Sequence, residues 1–214
     1  MSDAVKAPRP YRSSLRAEQA QDTRRRIRAA ADRLFLEHGY GDVSMDDIAR
    51  AAGVARQTVF SAFGSKANVL KQVIDVRLAG DDAPLPLAAR PAARRMLAAT
   101  DPVEAIRRAA HLIVDVALRV APLWSAIGQA AAVDKEIAGL LGTYDRARHE
   151  GIGELVEVVA RLGALRRGRS RAKAKDAVFL LTDPSVVARA GELGWSPAEI
   201  ERWYIDGLSG LLLA

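Results

Sequence analysis

Residues 44–64 read SMDDIARAAGVARQTVFSAFG, and this run decides the fold. Ser44 is a good N-cap. Asp47, three residues on, completes the outline of a capping box, with Asp in place of the usual Glu or Gln. Asp46 and Asp47 also suit the positive end of a helix dipole. Met45, Ile48, Ala49 and Ala52 then recur at helical spacing, and Gly53 stops the pattern. Only Gly53, Val54 and Ala55 separate it from a second short run, Arg56 to Phe63, which Gly64 closes. Two short helices joined by a three-residue turn that begins with glycine have the geometry of a helix-turn-helix. Such turns are common in all-α proteins, so the flanks have to decide.

On the N-terminal side, Ile27, Ala30, Ala31, Leu34 and Phe35 form one apolar stripe. Asp22 or Thr23 caps that helix, and Gly39 and Gly41 end it. On the C-terminal side, Ser65 caps a helix through Val69, Leu70, Val73, Ile74 and Leu78. Gly80, Pro84, Pro86 and Pro91 then mark a linker. Beyond it, helical patterns cover about 91–99, Pro102 to about Val120, Pro122 to Ala130, Lys135 to about Leu162, 171–182, 184 to about 193, and 197–213. Asp101, Asp134, Ser170, Asp183 and Ser196 stand as caps. Strand-like alternation is absent. The expectation is an all-α chain in four parts. They are a basic flexible arm (1–20), a helix-turn-helix domain (21–79), a linker with a short helix (80–100) and a helical regulatory and dimerisation domain (101–214).

Composition narrows the function. No cysteine is present, which excludes disulfides, thiolate metal sites and a cysteine nucleophile. The three histidines, His38, His111 and His149, lack ligand spacing, so neither a metal nor a cofactor is expected. No apolar run approaches the ~18 residues of a membrane span. The N-terminus, with Lys6, Arg9 and Arg12 and no apolar stretch behind them, does not resemble a secretory signal. A soluble cytoplasmic protein without a membrane partner is expected. No paired carboxylates, nucleophile–base arrangement or phosphate-cradling glycine loop stands out, which argues against an enzyme.

Charge points elsewhere. The net charge is +6, and residues 1–78 carry +5 of it; arginine outnumbers lysine 26 to 6. Guanidinium forks pair well with phosphate, so the basic first third suggests a polyanion, although a solvated tail has the same composition. In the second short helix Val59 and Phe63, four apart, face inward. Arg56, Gln57 and Thr58 face outward at its N-terminal end, where base contacts concentrate. Arg56 can fork onto guanine O6 and N7, Gln57 can pair with adenine N6 and N7, and Thr58 can meet a base or a phosphate. Arg9, Arg12 and Arg16 precede the first helix, either as a minor-groove arm or as a solubilising tail.

Taken together, residues 20–74 resemble the N-terminal domain of TetR-family transcriptional regulators. The residues that carry the resemblance are Thr23-Arg24, Ala30-Ala31, Leu34-Phe35, Glu37, Gly39-Tyr40, Ser44, Asp46-Asp47-Ile48-Ala49, Ala51-Ala52-Gly53-Val54, Thr58-Val59-Phe60, Phe63, Ser65-Lys66 and Leu70. Further on, Asp101-Pro102, Asp183-Pro184 and Gly194-Trp195-Ser196-Pro197 are similar to the regulatory domain of one branch. The resemblance implies DNA contacts by Ser44, Arg56, Gln57, Thr58, Phe60 and Lys66, the last on phosphate. This chain departs from the family at three contact positions. It has Phe60 where tyrosine is usual, Ala62 where histidine is frequent and Ala55 where serine often caps the recognition helix. Each loss should lower affinity without changing which bases are read.

The resemblance also implies a homodimer and a ligand cavity. Dimer candidates on the last long helices are Val178, Phe179, Leu181, Trp203, Ile205, Leu208 and Leu212, each of which also fits an intramolecular core. Leu112, Val116, Trp124, Ile127, Tyr144, Arg148, His149 and Phe179 lie on helices that line the pocket in relatives. Few charges intrude between 109 and 132, which favours an apolar or amphipathic effector. The reading is a ligand-responsive repressor on a palindromic double-stranded operator. The alternative is a DNA-binding protein of the same fold that localises a protein partner.

Overall fold

The computed structural model describes residues 10–83 and 85–214, with side chains from residue 15 onward, Ser125 aside. Its helices are α1 (Pro10–Asp42), α2 (Met45–Ala52), α3 (Arg56–Phe63), α4 (Lys66–Ala79), α5 (Pro91–Leu97), α6 (Pro102–Ala131), α7 (Lys135–Arg161), α8 (Arg171–Leu181), α9 (Pro184–Glu192) and α10 (Pro197–Leu212). A 3-10 turn at Leu87–Ala89 precedes α5. Among the described residues no strand forms; one isolated antiparallel bridge joins Leu165 and Leu213. The chain divides into two compact units, 1–73 and 74–214. The division falls inside α4, ahead of the proline-rich stretch where the sequence suggested it.

Two boundaries differ from expectation. Residues 10–20, read as part of a flexible arm, are helical. Pro10 stands first in α1, where its fixed φ suits a helix start, and Leu15, Arg16, Ala17, Glu18 and Gln19 are good helix formers. They carry no apolar stripe and residues 15–20 are exposed, so periodicity missed them. The two helices expected around Pro122 are one, α6, with Pro122 inside it. Proline removes one backbone bond, but the buried face of Val120, Ala121, Leu123 and Ile127 continues through it.

The first unit is built from α1 to α3 and the start of α4, with Ile27, Ala31, Phe35, Ile48, Val59, Val69 and Leu70 buried. Gly39, at φ +78°, breaks α1 before Tyr40. In the second unit α6 packs against α5, α7, α9 and α10, and α7 against α8. Its core combines Ala105, Ala109, Ala110, Ala117 and Ala121 of α6 with Leu155, Val156 and Val159 of α7, Val178 of α8 and Ile200, Tyr204, Leu208 and Leu212 of α10. The alanine stripe lets neighbouring helices approach closely.

Candidate nucleic-acid interface

The turn between α2 and α3 is set by local chemistry. The Ser44 N–H donates to Asp47 Oδ2 at 3.0 Å, and the Asp47 N–H donates to Ser44 Oγ at 3.1 Å, closing the capping box. The Ser44 hydroxyl, which donates to the same carboxylate, and then the Ser44 N–H, with Arg50 beside them, hold the Asp47 carboxyl below its ordinary value. Gly53 ends α2 in the left-handed region at φ +63°, and a Cβ there would lie 3.1 Å from the Arg26 guanidinium. That guanidinium donates to the carbonyls of Ala52 at 2.6 Å and Gly53 at 3.2 Å. A cation at a helix C-terminus is favoured by the dipole. Arg24 lies over the Phe63 ring at 5.5 Å. Thus α1 grips the end of α2 with Arg26, which the sequence reading did not single out, and the buried side of α3 with Arg24, which entered it only as part of the family resemblance. No spacing rule links positions 26 residues apart.

On α3, Val59 and Phe63 are buried and Arg56, Gln57 and Ser61 are exposed, with Thr58 and Phe60 half-buried. The outward face is therefore the one the 3.6-residue period assigned. Arg56 is 66% exposed, pairs with Asp46 at 3.0 Å and covers the Phe60 ring at 5.3 Å. An exposed pair of this kind is worth ~0–1 kcal/mol. It orients the fork without holding it against a stronger partner. Gln57 Nε2 reaches Ser61 Oγ at 3.5 Å, a weak bond that competes little with a base. No side chain caps α3, and its first turn carries no acid, which keeps that helix start favourable to an anion.

Lys66 behaves otherwise than expected. Its ammonium donates to the carbonyls of Tyr40 at 2.8 Å, Val43 at 2.8 Å and Gly41 at 3.4 Å, and sits 4.2 Å from the Tyr40 ring centroid. Instead of projecting toward phosphate, it closes the loop between α1 and α2, because an ammonium has three donors and that loop has three convergent acceptors. Ser44 is exposed, with its hydroxyl engaged in the capping box. Arg9 lies outside the described residues. Arg12 lies in α1, its side chain outside them.

In the second unit the structure brings three of the expected pocket residues together. The Arg148 guanidinium stacks 3.7 Å from the Phe179 ring centroid, and His149 meets the same ring edge-on at 5.1 Å. Arg148 is occupied by the protein: it donates to Phe179 O at 2.8 Å and approaches Thr182, Asp145 and Asp183. It ties α7 to the α8–α9 junction, and His149 pairs with Asp176 at 3.2 Å. Tyr144 donates to Asp75 at 2.7 Å, and burial raises its pKa further above the usual phenol value. Leu112, Val116 and Trp124 are half-buried along α6, and Ile127 is fully buried core. Of the dimer candidates, Val178, Leu208 and Leu212 are completely buried within the chain and offer no surface. Trp203 is 37% exposed, while Leu180, which periodicity did not single out, is 73% exposed.

Residues 27–73 match the family described as bacterial regulatory proteins, tetR family. MftR of Mycobacterium tuberculosis is 58% identical over 40 residues, 19% of this chain and 20% of MftR, so the match spans about a fifth of that relative's length. Among solved structures, NalD, the secondary repressor of the MexAB-OprM multidrug efflux pump in Pseudomonas aeruginosa, covers 92% of this chain and 98% of its own. Its identity is 22% and its TM-score 0.67. SmeT, the repressor of the Stenotrophomonas maltophilia efflux pump SmeDEF, in its complex with triclosan covers 90% and 92%, at 18% identity and TM-score 0.71. At those identities the likeness is one of fold. The sequence match falls on α1 through the middle of α4, the same helices that hold the recognition face outward, so it is this domain that is similar to the tetR family of bacterial regulatory proteins.

Proposed function

We propose that the chain is a transcriptional repressor. It reads a two-fold symmetric operator as a homodimer and leaves it when an apolar or amphipathic small molecule binds the second unit. The observation that carries the reading is α3, docked through Val59 and Phe63 with Arg56 and Gln57 exposed at its uncapped start. Arg56, Gln57 and Thr58 read bases; Phe60 packs against sugar, and Arg9 and Arg12 add minor-groove contacts. One eight-residue helix reads too few bases to be specific, and two-fold symmetry doubles the site. Exposed Leu180 on α8 and Trp203 on α10 support a dimer face on those helices. NalD and SmeT are repressors by name, and SmeT was solved with triclosan, which supports both repression and a small-molecule effector.

The coupling element is α4. It runs unbroken from Lys66 to Ala79, and its second half is tied to the regulatory helices. Asp75 accepts from Tyr144 of α7; Arg77 and Arg119 of α6 each donate to the other's carbonyl. An effector that displaces α6 or α7 displaces α4 with them. Its effect on DNA affinity equals its preference for the displaced state, typically ~1–3 kcal/mol. Footprinting of the DNA flanking the protein's own gene tests the reading. One symmetric site with half-sites ~34–36 Å apart is expected. Protection scattered over many unrelated sites would instead favour the localising role. Sedimentation showing only a 23.0 kDa species would remove the homodimer.

A further inference from the structure

Between α7 and α8, residues 166–175 read RRGRSRAKAK, six cations with no carboxylate. The helix-turn-helix does not involve this turn, which lies in the second unit. Its frame is fixed by α10: the Arg166 N–H donates to Leu212 O at 2.8 Å, and Leu165 bridges Leu213. Two of the guanidinium groups are held as well, Arg166 Nη1 by Gly210 O at 2.7 Å and Arg169 Nη1 by Leu211 O at 2.8 Å. Each of those bonds occupies one of five donors, so the carbonyls hold the groups in place and most of their donors remain. Arg166, Arg167, Gly168, Arg169, Ser170 and Lys173 line a shallow cavity of about 470 Å³. The competing ion pairs are exposed: Arg171 with Glu157 at 3.2 Å and Lys173 with Asp176 at 3.8 Å. Such pairs yield readily to a multivalent anion.

We propose that this turn binds a small solute carrying adjacent phosphate groups. Phosphate is favoured because arginine forks match its oxygens in bidentate geometry. A small solute is favoured over a duplex because the cavity falls within the ~300–1,000 Å³ typical of small-ligand pockets. The positive end of the α8 dipole adds to the same potential, with no acidic residue in that helix's first turn.

Calorimetric titration of the 214-residue chain with tripolyphosphate, at low ionic strength where screening is weakest, tests the site. It is run beside the Arg167→Ala/Lys173→Ala double variant, whose two side chains are exposed and hold no backbone. One saturable site per chain is expected, weakened at least ~tenfold in the variant, as loss of two charge-assisted contacts requires. Its melting temperature and operator affinity should be unchanged. Equal tripolyphosphate affinity in the two proteins would overturn the proposal. So would equal affinity for citrate, which carries the charge without the phosphates, or a loss of operator affinity in the variant, which would assign the patch to the DNA backbone.

Discussion

Both units tie their helices with cations on backbone carbonyls, but they distribute them differently. In the first unit Arg26 of α1 and Lys66 of α4 close the loops. The recognition helix keeps its own polar side chains outward. In the second unit the ties join four helix pairs: Arg108 to Arg95 O, Arg161 to Leu97 O, Arg119 to Arg77 O and Leu78 O, and Arg148 to Phe179 O. Acids balance most of its cations, leaving residues 79–214 at +1. A basic side chain is thus most available to a polyanion where the fold does not already hold most of its donors. The comparison separates Arg56, in an exposed ion pair, from Lys66 and Arg148, which the fold ties to backbone carbonyls.

The sharpest way to break that separation is Lys66→Met. If Lys66 is a loop clasp, its loss leaves the Tyr40 and Val43 carbonyls without a charged donor. Unfolding of the first unit should then become easier by ~2–3 kcal/mol, in the range of hydrogen bonds to charged groups. Denaturant melts read the loss. The salt dependence of non-specific DNA binding should keep its slope. A slope shallower by about one unit, at unchanged stability, would return Lys66 to the phosphates.

Gln57→Ala and Arg56→Ala give the opposite pattern. Both side chains are exposed, so stability should hold, while operator affinity falls by ~1–3 kcal/mol and base preference relaxes at the contacted position. Arg56→Ala also frees Asp46 from its pair. A uniform weakening on all sequences would make Arg56 a backbone contact.

What the sequence made legible follows the same division. Caps and turns depend on neighbours within four residues, so Ser44–Asp47, Gly53, Asp101, Asp134, Ser170, Asp183 and Ser196 were all readable, and each N-cap bond is present. The inward and outward faces of α3 came from its period. The clasps of Arg26, Lys66 and Arg148 join residues 23 or more apart, and no periodicity encodes them. Core and surface on α8 and α10 were also confused. Val178 and Leu208 turned out to be internal and Leu180 exposed, because several apolar positions on each helix fit either face.

A smaller effect separates the units by pH. In the first, Asp47 is held below its ordinary value by the Ser44 hydroxyl and then the Ser44 N–H. Its contribution is present above about pH 4 and is lost as pH falls through the lowered value. Ser44→Ala should therefore cost ~0.5–2 kcal/mol near neutrality, and the gap to wild type should narrow in acid. In the second, Asp81 is held down to about 2 by the Arg90 guanidinium and then the Ala83 N–H. That loop should keep its staple until pH approaches that value. Circular dichroism melts across the acid range, on wild type and Ser44→Ala, read the first; Arg90→Ala supplies the comparison for the second.

The smallest expected change lies in the core of the second unit. Tyr204 is completely buried, and its hydroxyl has no hydrogen-bond partner among the described residues. Burial, and then the negative charge of Asp183, raise its pKa further above the usual phenol value. A hydroxyl buried without a partner costs its desolvation and returns no bond. The ring, by contrast, packs against Trp203 at 5.0 Å and fills the centre of the α6–α10 core. Tyr204→Phe keeps the ring and deletes the hydroxyl. Stability should therefore stay level or rise by up to ~1 kcal/mol, whereas Tyr204→Ala, which removes the ring, should cost ~3–5 kcal/mol. A loss above ~1 kcal/mol in Tyr204→Phe would mean that the hydroxyl is satisfied in solution, and that this core holds a polar guest beside Arg148 and Asp183.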